Sequence, residues 1–162
     1  MPDGVLLDTS FLITFADSRR PHHAVARQYF KHFADEGIPM FLSTIVVSEF
    51  CLMQPATDLP LDAMIMLPYN LGDAEMTAKL NFKKHTGAPD ESRAILKDDF
   101  KLLGQAKAGD IAFLITEDAR TLHKYCRELH ARGEISTKPI KLEDGFDKSH
   151  FDPNGQLDIF PS

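Results

Sequence analysis

Acidic residues follow several apolar segments of this chain, at positions where carboxylates could bind a metal ion. Asp8 directly follows Val5–Leu7, Glu49 lies in a helical pattern after a second apolar run, and Asp118 follows a third. Such runs are typical of strands that are buried on both faces. Because ligand sites of α/β sheets lie at the carboxyl ends of the strands, we expect these three acids at one edge of a sheet.

A fourth acid, Asp99, lies inside a segment with helical spacing. Leu102, Leu103 and Ala106 follow it three, four and seven residues later, which predicts that Asp99 faces inward with them. An acid on an apolar face needs a hydrogen-bond partner or a cation. Asp98 adjoins Asp99, and only the helical register favours one over the other.

Four collected carboxylates would repel one another strongly unless a cation lies between them. Oxygen ligands suit Mg²⁺ and Mn²⁺, which retain waters that a substrate phosphate can displace. Such ions activate water for phosphodiester hydrolysis. The net charge of −6, from 24 acidic and 18 basic residues, is opposite in sign to that of a protein that holds nucleic acid by a basic surface. Either the chain does not bind nucleic acid, or a cation neutralises some of its acids.

Length and composition indicate one globular domain. The chain has 162 residues, of which 43% are hydrophobic and 26% charged. Cys51 and Cys126 form no CxxC pair and are expected to be buried free thiols. No apolar run is long enough to span a bilayer, and the N-terminus has no signal-peptide pattern, so we expect a cytoplasmic protein.

Strands and helices alternate in the predicted order of elements. Predicted strands cover Val5–Leu7 and residues 40–42, 111–115 and 140–142, and the last of these is expected at an edge of the sheet. Predicted helices cover residues 11–35, 73–85, 90–107 and 121–132, with an interruption of the first at 17–21. A further helix is expected after a cap at Ser43 or Thr44. The stretch 54–68 has no assignment. This alternation predicts a three-layer α/β/α sandwich on a mostly parallel sheet of four to five strands.

Four segments resemble the conserved motifs of the PIN-domain family. They are LDTSFL at residues 7–12, STIVVSEF at 43–50, DFKLLGQA at 99–106 and LITED at 114–118. Their order and spacing agree with the family over about residues 5–142. The resemblance implies one PIN-like domain over residues 1–162, with a C-terminal extension over 143–162.

The resemblance to PIN domains, and to VapC-like toxin ribonucleases among them, implies a Mg²⁺- or Mn²⁺-dependent ribonuclease. The metal-binding and catalytic acids would be Asp8, Glu49, Asp99 and Asp118. Ser10 and Thr116 would orient these carboxylates by hydrogen bonds. Many small members of the family are toxins that cleave RNA and often dimerise, which implies an RNA substrate, an antitoxin partner and a homodimer. Basic residues in the middle of the chain are the candidates for contacting the RNA backbone as a group, although each one alone is consistent with a solvated helix face; they are Lys83, Lys84, Arg93 and Lys101.

Other interpretations of the acids remain open. Asp8 and Asp118 could each simply cap a following helix, and Glu117 could replace Asp118 as a ligand. A catalytically inactive PIN-like binding or regulatory module is the main alternative function. A phosphatase with Asp8 as nucleophile is a third, although such enzymes usually carry a second Asp where this chain has Ser10.

Overall fold

A parallel sheet forms the centre of the computed structural model, which describes residues 4–80 and 90–152, with the backbone alone at 90–96. Its strands are β1 (Val5–Leu7), β2 (Met40–Ser43), β3 (Ile65–Leu67), β4 (Phe113–Thr116) and β5 (Lys138–Lys141). Their order across the sheet is β3-β2-β1-β4-β5, and every neighbouring pair is parallel.

Helices cover both faces of the sheet. They are α1 (Thr9–Ala16), α2 (His23–Glu36), α3 (Thr44–Phe50), α4 (Leu71–Leu80), α5 (Asp90–Ala108) and α6 (Leu122–Ala131). Helix α1 contacts α2 and α3, whereas α5 contacts α4 and α6. Because crossovers between parallel strands are right-handed, these two groups lie on opposite faces. The predicted three-layer α/β/α sandwich is confirmed.

The direction of the chain across the sheet reverses beside β1. From β1 the chain moves outward to β2 and β3, and it then returns to place β4 on the other side of β1. The carboxyl ends of β1 and β4 therefore flank the point where α/β sheets open a crevice. The pairing extends one residue beyond β1, since the Asp8 peptide N–H donates to the Ile115 carbonyl at 3.1 Å.

Several predicted helix ends match the structure, and one differs. Gly37 ends α2 with a left-handed φ of 66°, and the Ser43 hydroxyl accepts the Ile45 N–H at the start of α3. Helix α4 begins at Leu71 rather than being capped by Asp73. The Asn70 side chain accepts the Asp73 N–H, while the Asp73 carboxylate accepts the Asn70 N–H, as in a capping box. The predicted end of this helix, near residue 85, lies outside the described residues.

The sheet differs from the prediction at three strands. Strand β3 was not predicted, because its three residues lie in a stretch rich in proline and leucine. Strand β4 begins at Phe113 rather than at residue 111, since the Ile111 N–H closes the end of α5 by donating to the Ala106 carbonyl. Strand β5 covers Lys138–Lys141 and includes Pro139, which an edge strand tolerates.

Aromatic side chains hold the first part of the C-terminal extension against the body of the protein. Phe146 and Phe151 pack against Tyr29 of α2, with ring centroids 4.9 and 6.2 Å from it. The Tyr29 hydroxyl donates to the Gly145 carbonyl and accepts the Asp147 N–H. Phe151 thus belongs to the core, and Phe146 packs against it. Across the described ranges, no helix has both the length and the apolar character needed to cross a membrane.

Candidate functional site

Two hydroxyl groups hold the carboxylate of Asp8 at the carboxyl end of β1. Ser10 and Thr116 each donate to Oδ2 of Asp8, both at 2.7 Å. The same hydroxyl oxygens accept backbone N–H groups, from Glu117 at Ser10 and from Asp118 at Thr116, both at 2.9 Å. Because each hydroxyl has a single proton, these bonds fix its direction toward Asp8. Asp8 occupies the N-cap position of α1, yet its side chain makes no capping hydrogen bond.

Glu49 reaches the same edge from α3. Its Oε2 accepts a hydrogen bond from the Thr9 hydroxyl at 2.9 Å. Thr9 directly follows Asp8, so one short segment positions both carboxylates. Burial raises the pKa of Glu49, and the negative charge of Asp8 raises it further. The hydrogen bond from Thr9 lowers the pKa but does not cancel these effects. Glu49 is therefore not a freely solvated residue of α3.

Asp99 faces this group of acids from α5, whereas its neighbour Asp98 lies beside the group, and its charge raises the pKa of Glu49. Asp98 lies 3.4 Å from the ammonium group of Lys101 and is half-exposed. Oδ2 of Asp99 is buried and has no hydrogen-bond partner. Burial, together with the charges of Asp8, Asp118 and Glu49, raises the pKa of Asp99 to about 7. A buried acceptor without a partner is costly, and it is the kind of atom that a cation would satisfy.

The Asp118 carboxylate accepts hydrogen bonds from the local backbone and also belongs to the acid group, the name used here for Asp8, Glu49, Asp99 and Asp118. Its Oδ1 accepts the N–H groups of Arg120 and Thr121 at 2.8 and 3.2 Å, and its Oδ2 accepts the Thr121 hydroxyl at 2.6 Å. Burial alone would raise the pKa of Asp118, but these hydrogen bonds outweigh it and lower the pKa. Asp118 is not the N-cap of α6, which is Thr121; its carboxylate instead holds the turn that precedes this helix. Its charge also acts on Asp8 and Asp99.

The carboxylate of Glu117 has partners outside the acid group. Its Oε2 accepts the Thr14 hydroxyl and lies 3.8 Å from a guanidinium nitrogen of Arg20. Of the two adjacent acids, Asp118 is therefore the one that interacts with Asp8 and Asp99.

The charged form of the Asp8 carboxylate is also disfavoured by its surroundings. Burial raises its pKa, and the hydrogen bonds from Ser10 and Thr116 only partly offset this. Within the described part of the chain, no three acidic, histidine or cysteine side chains stand close enough to share one ion as they are oriented. The donor chemistry nevertheless fits Mg²⁺ or Mn²⁺, because it consists of mutually repelling carboxylates and a buried oxygen without a partner.

The structure places only one of the four predicted RNA-contacting side chains. Lys101 is half-buried and pairs with Asp98. Lys83 and Lys84 lie outside the described residues, and Arg93 lies where only the backbone of α5 is described.

Sequence reasoning missed several residues that position the acids. Thr9 and Thr121 donate to Glu49 and Asp118, and both adjoin predicted helix starts, which was the available signal. Gln105 is buried on α5 and connects it to two strands. Its side-chain oxygen accepts the Ser43 hydroxyl at 2.5 Å, and its amide donates to the Leu67 carbonyl at 3.0 Å. No local pattern distinguishes such a glutamine from a solvated one.

Chains with this architecture occur in three solved structures. VapBC2 from Rickettsia felis bound to a DNA fragment from their promoter matches with a TM-score of 0.57 and 10% identity, covering 85% of this chain and 98% of that chain. DNA-bound VapBC from Salmonella typhimurium matches with a TM-score of 0.54 and 16% identity, covering 86% of this chain and 98% of that chain. FitAcB from Neisseria gonorrhoeae matches with a TM-score of 0.57 and 15% identity, covering 83% of this chain and 96% of that chain.

The chain has a PIN-like fold. The resemblance to PIN domains deduced from the four motifs is confirmed at the level of the fold. No family model and no curated protein matches the sequence. For this PIN-like protein, the arguments for a chemical activity therefore rest on its own side chains.

Proposed function

We propose that this PIN-like protein is an endoribonuclease that hydrolyses RNA phosphodiester bonds with Mg²⁺ or Mn²⁺. The observation that carries the proposal is the buried, unpartnered Oδ2 of Asp99 beside three further carboxylates. These acids come from different elements and meet at the switch point of the sheet. A fold that gathers unneutralised carboxylates there gains stability when a cation binds.

The hydrogen bonds indicate which oxygens would hold the cation. Side-chain donors occupy Oδ2 of Asp8 and Oε2 of Glu49, so Oδ1 and Oε1 would be the ligands, together with Oδ2 of Asp99. A bound divalent ion would supply a water of lowered pKa and neutralise charge on the phosphate. Ser10 and Thr116 would favour the ionised form of Asp8 and fix its direction. Asp118, whose pKa is lowered, would contribute negative charge at neutral pH.

The first experiment is cleavage of a mixed pool of single-stranded RNA by the purified protein with Mn²⁺ or Mg²⁺. We expect cleavage that disappears with EDTA and in Asp8→Asn. Asp98→Asn removes the same charge outside the acid group and serves as the matched control, with cleavage retained. Circular dichroism checks that each variant folds. Normal cleavage by folded Asp8→Asn would refute the proposed site.

The alternative function is a PIN-like binding module without activity. It is favoured by the arrangement of the acids, since no three of the described acidic side chains already form a shared ion site. Calorimetric titration with Mn²⁺ separates the two functions. Binding that is lost in Asp99→Asn supports the nuclease, whereas the absence of any Mn²⁺ binding supports the module.

We also propose that the protein acts with an antitoxin-like protein partner and forms a homodimer. The similar chains belong to VapBC and FitAcB complexes. Large apolar side chains are exposed between residues 52 and 71, the segment that contains edge strand β3, and a protein partner could cover them. They are Leu52, Met53, Leu61, Ile65, Met66 and Leu71. Light scattering of the isolated protein tests the dimer. Growth inhibition on expression, relieved by a small open reading frame adjacent to the gene, tests the antitoxin.

A further inference from the structure

Two adjacent arginines, in the turn between α1 and α2, have different surroundings. Arg19 binds Asp17 through two contacts, from Nε to Oδ1 at 3.0 Å and from Nη2 to Oδ2 at 3.1 Å. The Arg19 N–H also donates to Asp17, and the Arg19 side chain is 89% exposed. Arg19 is thus committed to its own turn on the protein surface.

Arg20 instead contacts Glu117, the residue between Thr116 and Asp118. Its Nη1 lies 3.8 Å from Oε2 of Glu117, and its side chain is 40% exposed. Glu117 is fixed from two sides, by the Thr14 hydroxyl at its carboxylate and by its own N–H, which donates to Ser10. Ser10 in turn donates to Asp8. A continuous series of hydrogen bonds therefore links the residue that holds Arg20 to the proposed catalytic carboxylate.

The contact between Arg20 and Glu117 leaves most of the guanidinium available. A guanidinium has five N–H donors, and at 3.8 Å from the carboxylate oxygen none of them makes a short hydrogen bond. Partly exposed ion pairs of this kind contribute little to stability, so exchange for another anion is easy. Phosphate oxygens match the planar donor set of arginine in a bidentate arrangement.

We propose that Arg20 is a substrate-binding residue that contacts an RNA phosphate next to the one that is cut. The inference rests on the proposed function and names a residue of that same site. An RNA strand entering a group of four acids meets repulsion that a metal offsets only at the scissile phosphate. Arg20 supplies positive charge at the side of the site formed by β4 and α1, and Glu117 keeps it in place before RNA binds.

Steady-state cleavage with Arg20→Gln and Arg19→Gln tests this role, because the two variants change the net charge equally. We expect Arg20→Gln to raise KM about tenfold, which corresponds to about 1.4 kcal/mol, with kcat within about twofold of the parent protein. Arg20→Lys should recover part of the loss, since a lysine keeps the charge but not the planar donor set. Arg19→Gln should leave both constants unchanged. Equal effects of the two glutamine variants, or none with Arg20→Gln, would overturn the proposal.

A binding measurement keeps this inference separable from the nuclease activity. In the Asp8→Asn background, fluorescence anisotropy follows a short labelled RNA over a range of salt concentrations with Mg²⁺ present. We expect Arg20→Gln to reduce the slope of log K against log salt by about one, and Arg19→Gln to leave it unchanged. A parent protein that binds RNA through Arg20 but never cuts it would refute the nuclease alone. A protein that cuts RNA with an unchanged slope in Arg20→Gln would refute this inference alone, and a protein that neither cuts nor binds RNA would refute both.

Discussion

Replacing Asp99 with asparagine removes a charge from a position where the fold disfavours it. The pKa of Asp99 is raised from its ordinary 3.8 to about 7, first by burial and then by the neighbouring acids. A folded state with a raised carboxyl pKa binds the proton more tightly than the unfolded chain does. The contribution of Asp99 to stability is therefore complete below about pH 4 and is lost as the pH rises through about 7.

The size of this effect follows from the two pKa values. A difference of about three pKa units costs the metal-free protein about 4 kcal/mol at pH 8, at about 1.4 kcal/mol per unit. At pH 5 the same calculation gives a cost to the metal-free protein of about 2 kcal/mol. Asparagine is neutral at both pH values and has nearly the same shape. We therefore expect Asp99→Asn to raise the free energy of unfolding by about 2–4 kcal/mol at pH 8 and by less at pH 5.

Urea denaturation in EDTA at pH 5 and pH 8 measures this difference. Asp98→Asn is the matched control, since Asp98 is half-exposed and pairs with Lys101, and its free energy of unfolding should change by less than about 1 kcal/mol at either pH. Adding Mn²⁺ at pH 8 should stabilise the parent protein and not Asp99→Asn. If Asp99→Asn were no more stable than the parent protein at pH 8, or gained equally at both pH values, the electrostatic argument would be wrong.

Three further substitutions test how the structure positions the site. In Gly104→Ala the added Cβ would lie 2.0 Å from Oγ1 of Thr77, so α4 and α5 would have to move apart. Although alanine has the better helix propensity, we expect this variant to lower the free energy of unfolding, measured in urea, by about 1–3 kcal/mol. Gln105→Leu removes the buried links from α5 to β2 and β3, and should cost about 2 kcal/mol in the same assay. Thr121→Val removes the hydroxyl donor to Asp118, whose pKa is lowered, so it should destabilise the protein by about 1 kcal/mol at pH 7. That loss should shrink as the pH falls through the folded-state pKa of Asp118, which NMR titration would show rising in the variant.

Much of the fold could be predicted because its signals are local. The apolar run Val5–Leu7, the glycine that ends α2 and the serine that caps α3 each require only a few neighbouring residues. Strand β3 carried no such signal. Its three residues are partly exposed, and they form a strand only because β2 offers hydrogen-bonding partners beside them. Pairing between segments so far apart in sequence has no counterpart in local periodicity.

The placement of acids at one sheet edge was likewise determined by the sequence, since residues that follow parallel strands must meet there. The choice between adjacent acids was decided by tertiary structure. Asp98 and Asp99 differ because one is near Lys101 while the other faces carboxylates from three other segments. Glu117 differs from Asp118 because Thr14, more than a hundred positions earlier, donates to its carboxylate. The physical reason is that periodicity fixes which face of an element a residue occupies, whereas its ionisation and partners depend on whatever the fold brings against that face.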